Sequence, residues 1–140
     1  MTYLLDTNVC IEVIRSRSQP VVDWIRSHPV GQIAIGTVTV AELEHGVAKS
    51  SHQTKNKVAL LQFLAPFEIL PFDQAAAQKY GIIRHDLESR GERIGPMDLL
   101  IAAQALAADL TLVTNNVSEF TRVRGLRVED WTQGLARDGA

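Results

Sequence analysis

Near its start the chain contains Tyr3-Leu4-Leu5-Asp6-Thr7-Asn8, in which three residues suited to a short buried strand run directly into polar side chains. The segment that follows, residues 9–15, has the apolar spacing of a helix. Asp6 is therefore predicted to lie where a first strand meets a helix. In open α/β sheets ligands bind outside the carboxyl ends of the strands, so this junction is a candidate functional site.

Composition sets the class of protein. The chain has 140 residues, 46% hydrophobic and 21% charged, which fits one soluble globular domain. No apolar run approaches the ~20 residues of a membrane span, and the N-terminus lacks the positive region of a signal peptide. One cysteine, Cys10, excludes an internal disulfide and fits a reducing compartment, so we expect a cytoplasmic protein that does not contact membranes. The net charge of −2 argues mildly against a nucleic-acid binder, although a total can hide a local basic patch.

Strand-like and helix-like segments alternate along the chain. Short apolar strands are predicted at residues 3–5, 32–36, 68–72 and 111–114, with a last edge strand near 126–128. This alternation predicts an α/β fold of three layers, α/β/α, with a mostly parallel central sheet of four to five short strands. We expect one domain over residues 1–132 and a flexible C-terminal tail over residues 133–140.

Acidic residues recur near the carboxyl ends of the predicted strands or in the first turn of a following helix. They are Asp6 after the first strand, Glu42 after the second, Asp98 just after Pro96, and Glu119 after the fourth, with Asn116 beside it. Carboxylates brought together in a cleft cannot all stay ionised unless a cation joins them. Oxygen ligands favour hard ions such as Mg²⁺ or Mn²⁺ over zinc. Such ions activate water and stabilise charge on a phosphate, which points to phosphodiester hydrolysis.

Each of these acids also has a purely structural explanation. Asp6 alone fits a helix N-cap, and Asp98 suits the positive end of a helix dipole. Glu42 lies three residues after Thr39, which is the spacing of a capping box in a helix that starts there. The acids together are harder to explain in this way than each alone.

A different enzyme class is also possible at the first acid. Asp6-Thr7-Asn8 resembles the Asp-x-Asp start of haloacid-dehalogenase-type phosphotransferases, in which Asp6 would be the nucleophile. Asn8 stands in the place of the second acid, and no Lys follows the fourth strand. These two departures weaken the phosphotransferase alternative.

Four motifs carry the acids in order along the chain. They are Leu4-Leu5-Asp6-Thr7-Asn8, Thr39-Val40-Ala41-Glu42-Leu43-Glu44-His45-Gly46, Ile94-Gly95-Pro96-Met97-Asp98-Leu99-Leu100-Ile101-Ala102-Ala103 and Leu112-Val113-Thr114-Asn115-Asn116-Val117-Ser118-Glu119-Phe120. Their order and spacing resemble PIN-domain proteins, and most closely the VapC toxins of bacterial toxin–antitoxin pairs. The resemblance covers nearly the whole chain, including residues 125–131.

The resemblance implies a PIN-like fold and a Mg²⁺- or Mn²⁺-dependent endoribonuclease toxin that blocks translation. It implies metal binding by Asp6 and Asp98 and an active-site carboxylate at Glu42. Many PIN domains have an Asp where Asn116 stands here, so Glu119 is expected to supply the fourth catalytic acid. The expected supporting residues are Thr7, Asn8, Thr114 and Asn116.

Substrate and partners also follow from the resemblance. It implies RNA as substrate, with tRNA expected and the anticodon loop of initiator tRNA as the particular candidate. It implies a VapB-type antitoxin and a homodimer that joins it in a hetero-oligomer. The apolar faces of the first, second and fourth helices would serve these contacts, or would serve only the core. A PIN fold that binds RNA or antitoxin without cutting is the other alternative, since Asn116 brings no charge.

Arginines flank the acidic motifs. Arg84, Arg90 and Arg93 lead into the loop before Asp98, and Arg15 ends the first helix. They form either a solvated face or a grip on the phosphates of a nucleic acid, a contact that positions RNA without reading its sequence. Arg93, Arg90 and Arg15 are the predicted RNA-binding residues, and Arg93 is preferred because it lies nearest to Asp98 in sequence.

Overall fold

The computed structural model describes residues 1–15 and 18–133. Within them the strands are β1 (Tyr3–Leu5), β2 (Ile33–Gly36), β3 (Glu68–Leu70), β4 (Thr111–Val113) and β5 (Val128–Glu129). The helices are α1 (Thr7–Ile14), α2 (Gln19–Arg26), α3 (Thr37–Ala48), α4 (Gln53–Leu64), α5 (Gln74–Ser89), α6 (Pro96–Ala107) and α7 (Val117–Phe120). Short 3₁₀ turns span Val30–Gln32 and Trp131–Gln133. None of the described helices has the length and apolar character needed to cross a membrane.

The strands form one sheet in the order β3-β2-β1-β4-β5, and every pair of neighbours is parallel. The predicted α/β class with a mostly parallel sheet is therefore confirmed. In the register of the three central strands Leu5 lies beside Ile35 on one side and Val113 on the other. Because these strands end together, the residues that follow them meet at one edge of the sheet.

Adjacent residues of β1 serve opposite faces of the sheet, as the two-residue period of a strand requires. Leu4 packs in a cluster with side chains of α5 and α6, whereas Leu5 packs with side chains of α1 to α4. Both leucines are fully buried, and each such burial stabilises the fold by roughly 1.5–3 kcal/mol. These two clusters confirm the three-layer arrangement, with β1 at its centre.

The start of α3 differs from the prediction. The helix begins at Thr37, directly after β2, with Gly36 as its N-cap. Glu42 therefore lies in the second turn rather than the first, and Thr39 is not a cap, so the capping-box explanation is wrong. The β-branched run after Gly36 favours strand by local propensity, but packing against the sheet holds it in a helix. Gly36 has a packing reason, because a Cβ there would lie 2.0 Å from Gln104 Oε1.

Other boundaries shift by small amounts. β3 ends at Leu70 rather than residue 72, and α6 begins at Pro96 itself, where proline suits the first helical turn. Of the predicted tail, residues 133–140, only Gln133 lies within the described residues. The division into one domain and a tail stays a prediction.

Candidate active site

Asp6 extends the central strand by one residue and also begins a helix. Its backbone N–H donates to Val113 O of β4 at 3.0 Å, and its Oδ1 accepts from Val9 N at 2.8 Å as the N-cap of α1. The side chain is only 2% exposed. Burial raises the pKa of Asp6 to about 6, although hydrogen bonds from the Thr114 hydroxyl and the Val9 amide oppose the shift. The N-cap explanation and a functional one are therefore compatible, because the cap contact uses Oδ1 alone.

Glu42 reaches the same edge of the sheet from α3. The Thr7 hydroxyl, at the start of α1, donates to Glu42 Oε1 at 2.6 Å. Thr39 Oγ1 lies 3.1 Å from Thr7 Oγ1, and Thr39 is fully buried. This pair of threonines orients the carboxylate beside Asp6, whose pKa the charge of Glu42 also raises. Thr39 was missed as a support residue because it was assigned to a helix cap.

Asp98 and Glu119 face one another across the loop that precedes α6. Burial, followed by the contact with Glu119 and the charges of Asp6 and Glu42, raises the pKa of Asp98 to about 7. For Glu119 burial opposes ionisation, but hydrogen bonds from the Gly95 amide, Asp98 and Asn116 lower its pKa below the ordinary value. Of these two carboxyls, Asp98 therefore keeps its proton to the higher pH.

Asn116 acts through Glu119. Its Nδ2 donates to Glu119 Oε2 at 2.6 Å, while its backbone N–H donates to Thr114 Oγ1 at 2.9 Å. The other carboxylate oxygen, Glu119 Oε1, accepts from Gly95 N at 2.9 Å. The structure thus places Glu119 in the acidic cluster, and the side-chain amide of Asn116 holds it there. The Gly95 amide was missed, and its only signal in the sequence is that a Gly-Pro pair opens a helix with a free N–H.

The donor set suits a small hard cation. All four carboxylates offer oxygen. Beyond the effect of burial, the charges of Glu42 and Asp130 raise the pKa of Asp6, and the contact with Glu119 and the charges of Glu119, Asp6 and Glu42 raise the pKa of Asp98. Among the described residues no three His, Cys, Asp or Glu side chains are placed so that they could hold one ion together. Mg²⁺ is typically bound by one or two carboxylates and keeps several waters, so the arrangement fits such an ion on two direct ligands.

The three predicted RNA-binding arginines lie in different surroundings. The Arg93 side chain is 80% exposed and approaches Glu88 no closer than 4.0 Å, and Arg15 is also exposed. Arg90 is instead held within the protein, since it donates to Asp86, Glu92 and the carbonyl of Arg122. The structure therefore leaves Arg93 and Arg15 available for a phosphate and turns Arg90 inward.

A groove of about 540 Å³ lies between α1, α3 and α4 and opens beside Thr7, Asn8 and Glu42. Its apolar lining comes from Ile11, Ile14, Leu43, Val47, Ala59 and Leu60. Its cationic lining comes from Arg15, Lys49 and Lys55. The two lysines were missed, because only the turn between α3 and α4 brings them to one side of the acidic residues.

Comparison with known proteins agrees with this geometry. The PIN domain model matches residues 3–126. The tRNA(fMet)-specific endonuclease VapC of Shigella flexneri is 38% identical over 94% of this chain and 99% of that protein. Ribonuclease VapC2 of Rickettsia felis is 39% identical over 94% and 98%.

Solved structures give the same result. DNA-bound VapBC from Salmonella typhimurium superposes with a TM-score of 0.90 at 34% identity, covering 94% of this chain and 98% of that one. VapBC2 from Rickettsia felis, bound to a fragment of promoter DNA, gives 0.87 at 37% identity, covering 94% and 99%. The chain therefore belongs to the PIN-domain family and, within it, to the VapC proteins.

Proposed function

We propose that this chain is a metal-dependent endoribonuclease of a toxin–antitoxin pair, which hydrolyses phosphodiesters of tRNA and so inhibits translation. The observation that carries this proposal is the convergence of Asp6, Glu42, Asp98 and Glu119 at the carboxyl edge of a parallel sheet. The names of its relatives, ribonuclease VapC and tRNA(fMet)-specific endonuclease VapC, support the same activity and substrate.

Asp6 and Asp98 would hold Mg²⁺ or Mn²⁺, with Glu42 and Glu119 beside them. When bound, such an ion activates water and stabilises the negative charge on the phosphate. Thr7 holds Glu42, and Asn116 holds Glu119, so that both carboxylates can orient the attacking water. The water loses a proton to solvent as its oxygen forms a bond to phosphorus, the bond to the ribose 3′ oxygen breaks, and that oxygen takes up a proton from solvent and leaves as a hydroxyl. The products then carry 5′-phosphate and 3′-hydroxyl ends, and the 2′-hydroxyl takes no part.

Arg93 and Arg15 would contact phosphates on either side of the cleavage position. Both are exposed, and Arg93 is followed within the same loop by Gly95, which bonds Glu119. Initiator tRNA, through its anticodon loop, is the first substrate to test, because two relatives carry tRNA(fMet) in their names. The activity belongs in the cytoplasm, where tRNA is found and where a free buried Cys10 stays reduced.

The test is cleavage of purified tRNA, including initiator tRNA, with Mg²⁺ or Mn²⁺ and with EDTA. Wild type should cut only with metal, Asp98→Asn should not cut, and Asp23→Asn should behave as wild type. Asp23 is a suitable control because it is exposed on α2 and its side chain bonds only Gln19 among the described contacts. Mapping of the ends should find 5′-phosphate.

Three results would overturn this proposal. A 2′,3′-cyclic phosphate would mean attack by the 2′-hydroxyl and not by water. Binding of RNA without cleavage in either metal would identify a binding module. A covalent acyl-phosphate on Asp6, with no cut RNA, would identify a phosphotransferase.

We also propose a VapB-type antitoxin as partner, on a homodimer of this chain. The apolar lining and cationic rim of the groove between α1, α3 and α4 suit an amphipathic segment with acidic residues. Two structural relatives are VapBC complexes, which supports the pairing. Co-expression with any short open reading frame found immediately upstream of the gene, followed by light scattering, tests it. A monomer that co-purifies with nothing would contradict both parts.

A further inference from the structure

Two backbone hydrogen bonds fix the first residues of the loop between α5 and α6. Gly91, at φ 67°, follows the last turn of α5, and its N–H donates to Glu88 O at 3.2 Å. Glu92 N donates to Leu87 O at 2.9 Å. These two bonds form a Schellman motif, in which glycine takes the left-handed conformation without steric cost. The direction in which the loop leaves α5 is therefore fixed.

Two arginines then join this loop to the chain just beyond α7. Arg90 Nη2 donates to the carbonyl of Arg122 at 2.7 Å, and Arg122 Nη1 donates to the carbonyl of Arg93 at 2.9 Å. The side chain of each arginine thus bonds the backbone of the other segment. We name this pair of contacts the arginine clamp.

Arg90 is itself immobilised on α5. Its Nε and Nη2 bond Asp86 Oδ2 at 3.1 and 2.7 Å, and its Nη1 bonds Glu92 Oε2 at 2.7 Å. Its side chain is 23% exposed, much less than the 74% of Arg124 nearby. Charge-assisted bonds of this kind are roughly twice as strong as neutral ones, and they fix direction as well as distance. The clamp is therefore anchored at the α5 end.

The loop ends at the acidic centre. Gly95 lies two residues after Arg93 and gives its N–H to Glu119 Oε1, while Asp98 follows in the first turn of α6. Glu119 lies three residues before Arg122, whose N–H bonds its carbonyl at 3.2 Å. The two segments joined by the clamp are thus the same two that present the facing carboxylates.

We propose that Arg90 and Arg122 are positioning residues, which hold residues 91–95 against the end of α7 and so set the placement of Asp98 relative to Glu119. This role rests on the proposed ribonuclease function. In this role neither arginine contacts RNA, and both act through Gly95 on Asp98 and Glu119. It also explains why Arg90, a candidate for phosphate contact from sequence, is turned inward.

The test uses Arg90→Met and Arg122→Met, which keep an apolar stem and remove the donors. Arg124→Met is the matched control, because it removes the same charge two residues from Arg122 and approaches Asp86 only at 3.7 Å. Three kinds of measurement are made. They are the amide resonance of Gly95 in the metal-free protein, Mn²⁺ affinity by calorimetry, and the kinetics of tRNA cleavage, which give kcat and KM.

In both Met variants the Gly95 resonance should move and Mn²⁺ affinity should fall about ten-fold, as expected when outer partners of metal ligands are lost. For the same reason kcat should fall about ten-fold or more, with KM changed less than about two-fold. Arg124→Met should leave all of these unchanged. Arg122→Lys and Arg90→Lys should recover part of each loss, since an ammonium can still reach one carbonyl. If a Met variant does not fold, the corresponding Lys variant replaces it in the test. It should show a smaller loss of Mn²⁺ affinity and of kcat than that expected for the Met variant.

An unmoved Gly95 resonance together with unchanged Mn²⁺ affinity would overturn the positioning role. A raised KM at unchanged kcat would overturn it too, because it would indicate a direct contact with RNA. If wild type cuts no RNA, the proposed function fails, while the resonance and the Mn²⁺ affinity still decide the clamp.

Discussion

The two halves of the acidic centre are held in different ways. Asp6 continues the central strand of the sheet, and its place is fixed by β4 on one side and by the Val9 amide of α1 on the other. Asp98 and Glu119 lie outside the sheet, at the start of α6 and in the four-residue helix α7. Hydrogen bonds from Gly95 and Asn116 fix Glu119, and neither Asp98 nor Glu119 lies in a strand.

We call the half that contains Asp6 the rigid half, and the half that contains Asp98 and Glu119 the adjustable half. The half on the sheet cannot move without disturbing a strand that is buried on both faces. The half on the loop is positioned by hydrogen bonds, those of the arginine clamp among them, so loss of one such bond can change the separation of Asp98 and Glu119. The proposed ion, Mg²⁺, demands near-ideal octahedral geometry, so the bonds that place Asp98 and Glu119 should matter for its affinity.

The largest expected effect comes from the rigid half. Asp6→Asn removes the buried charge but keeps a side chain that caps helices well, so α1 should persist. We expect cleavage of tRNA to fall by ~10³-fold or more, on the scale seen when one member of a catalytic set is removed. The metal-free protein should gain on the order of 2 kcal/mol at pH 8, because an ionised Asp6 is costly when buried.

Single-turnover cleavage and urea unfolding measure these two effects. Asp23→Asn, exposed on α2, should change neither. Loss of stability in Asp6→Asn would mean that the rigid half depends on the charge itself.

The next effect concerns pH in the metal-free protein. Asp6 and Asp98 keep their protons to higher pH in the folded state than the ordinary value of 3.8. Folding therefore takes up protons, and the free energy of unfolding should fall as pH rises from 5 to 8. We expect a fall of about 2 kcal/mol over this range. Asp6, much of whose change occurs below pH 5, contributes about 1–1.5 kcal/mol, and Asp98 adds on the order of 1 kcal/mol because solvent screens its half-exposed carboxyl.

Urea unfolding in EDTA at several pH values measures this slope. Asp6→Asn should remove roughly half of this slope, and saturating Mn²⁺ should reverse the loss at pH 8 by neutralising the carboxylates. If the free energy of unfolding of the wild type stayed constant or rose with pH, folding would not raise the pKa of the two carboxyls.

A smaller effect is expected in the adjustable half. Asn116→Ala removes the donor that holds Glu119 Oε2, so this carboxylate should lose its orientation. We expect kcat to fall about ten-fold, as for other outer partners of a metal site. Asn115→Ala is the control, because Asn115 is the exposed neighbour and makes no described side-chain contact. Equal activity of both variants would show that the Gly95 amide alone suffices.

The same division explains what could be predicted from sequence. Asp6 was placed correctly at the end of a strand because three apolar residues precede it and the chain must turn there. The parallel sheet followed from alternating short strands and helices. These features depend on local pattern, which single sequences carry.

The adjustable half depends on contacts between distant residues. Glu119 meets Gly95, 24 residues earlier, and Arg90 meets the backbone of Arg122, 32 residues later. No local pattern encodes such pairs, so Arg90 was assigned to RNA, and the contact between Gly95 and Glu119 was not predicted. The start of α3 was misplaced for a related reason, since packing on the sheet overrides the strand propensity of its first turn.

The smallest expected effect tests whether the adjustable half also contacts substrate. Arg93→Ala removes an exposed guanidinium beside the loop, so KM for tRNA should rise by about two- to three-fold, as for an exposed ion pair, with kcat unchanged. The slope of log KM against log salt should fall by about 0.7, the contribution of one phosphate contact on a single strand. Arg26→Ala, exposed on α2, should change neither quantity. A fall in kcat at constant salt slope would instead assign Arg93 to the placement of Asp98, and the adjustable half would then have no phosphate contact of its own.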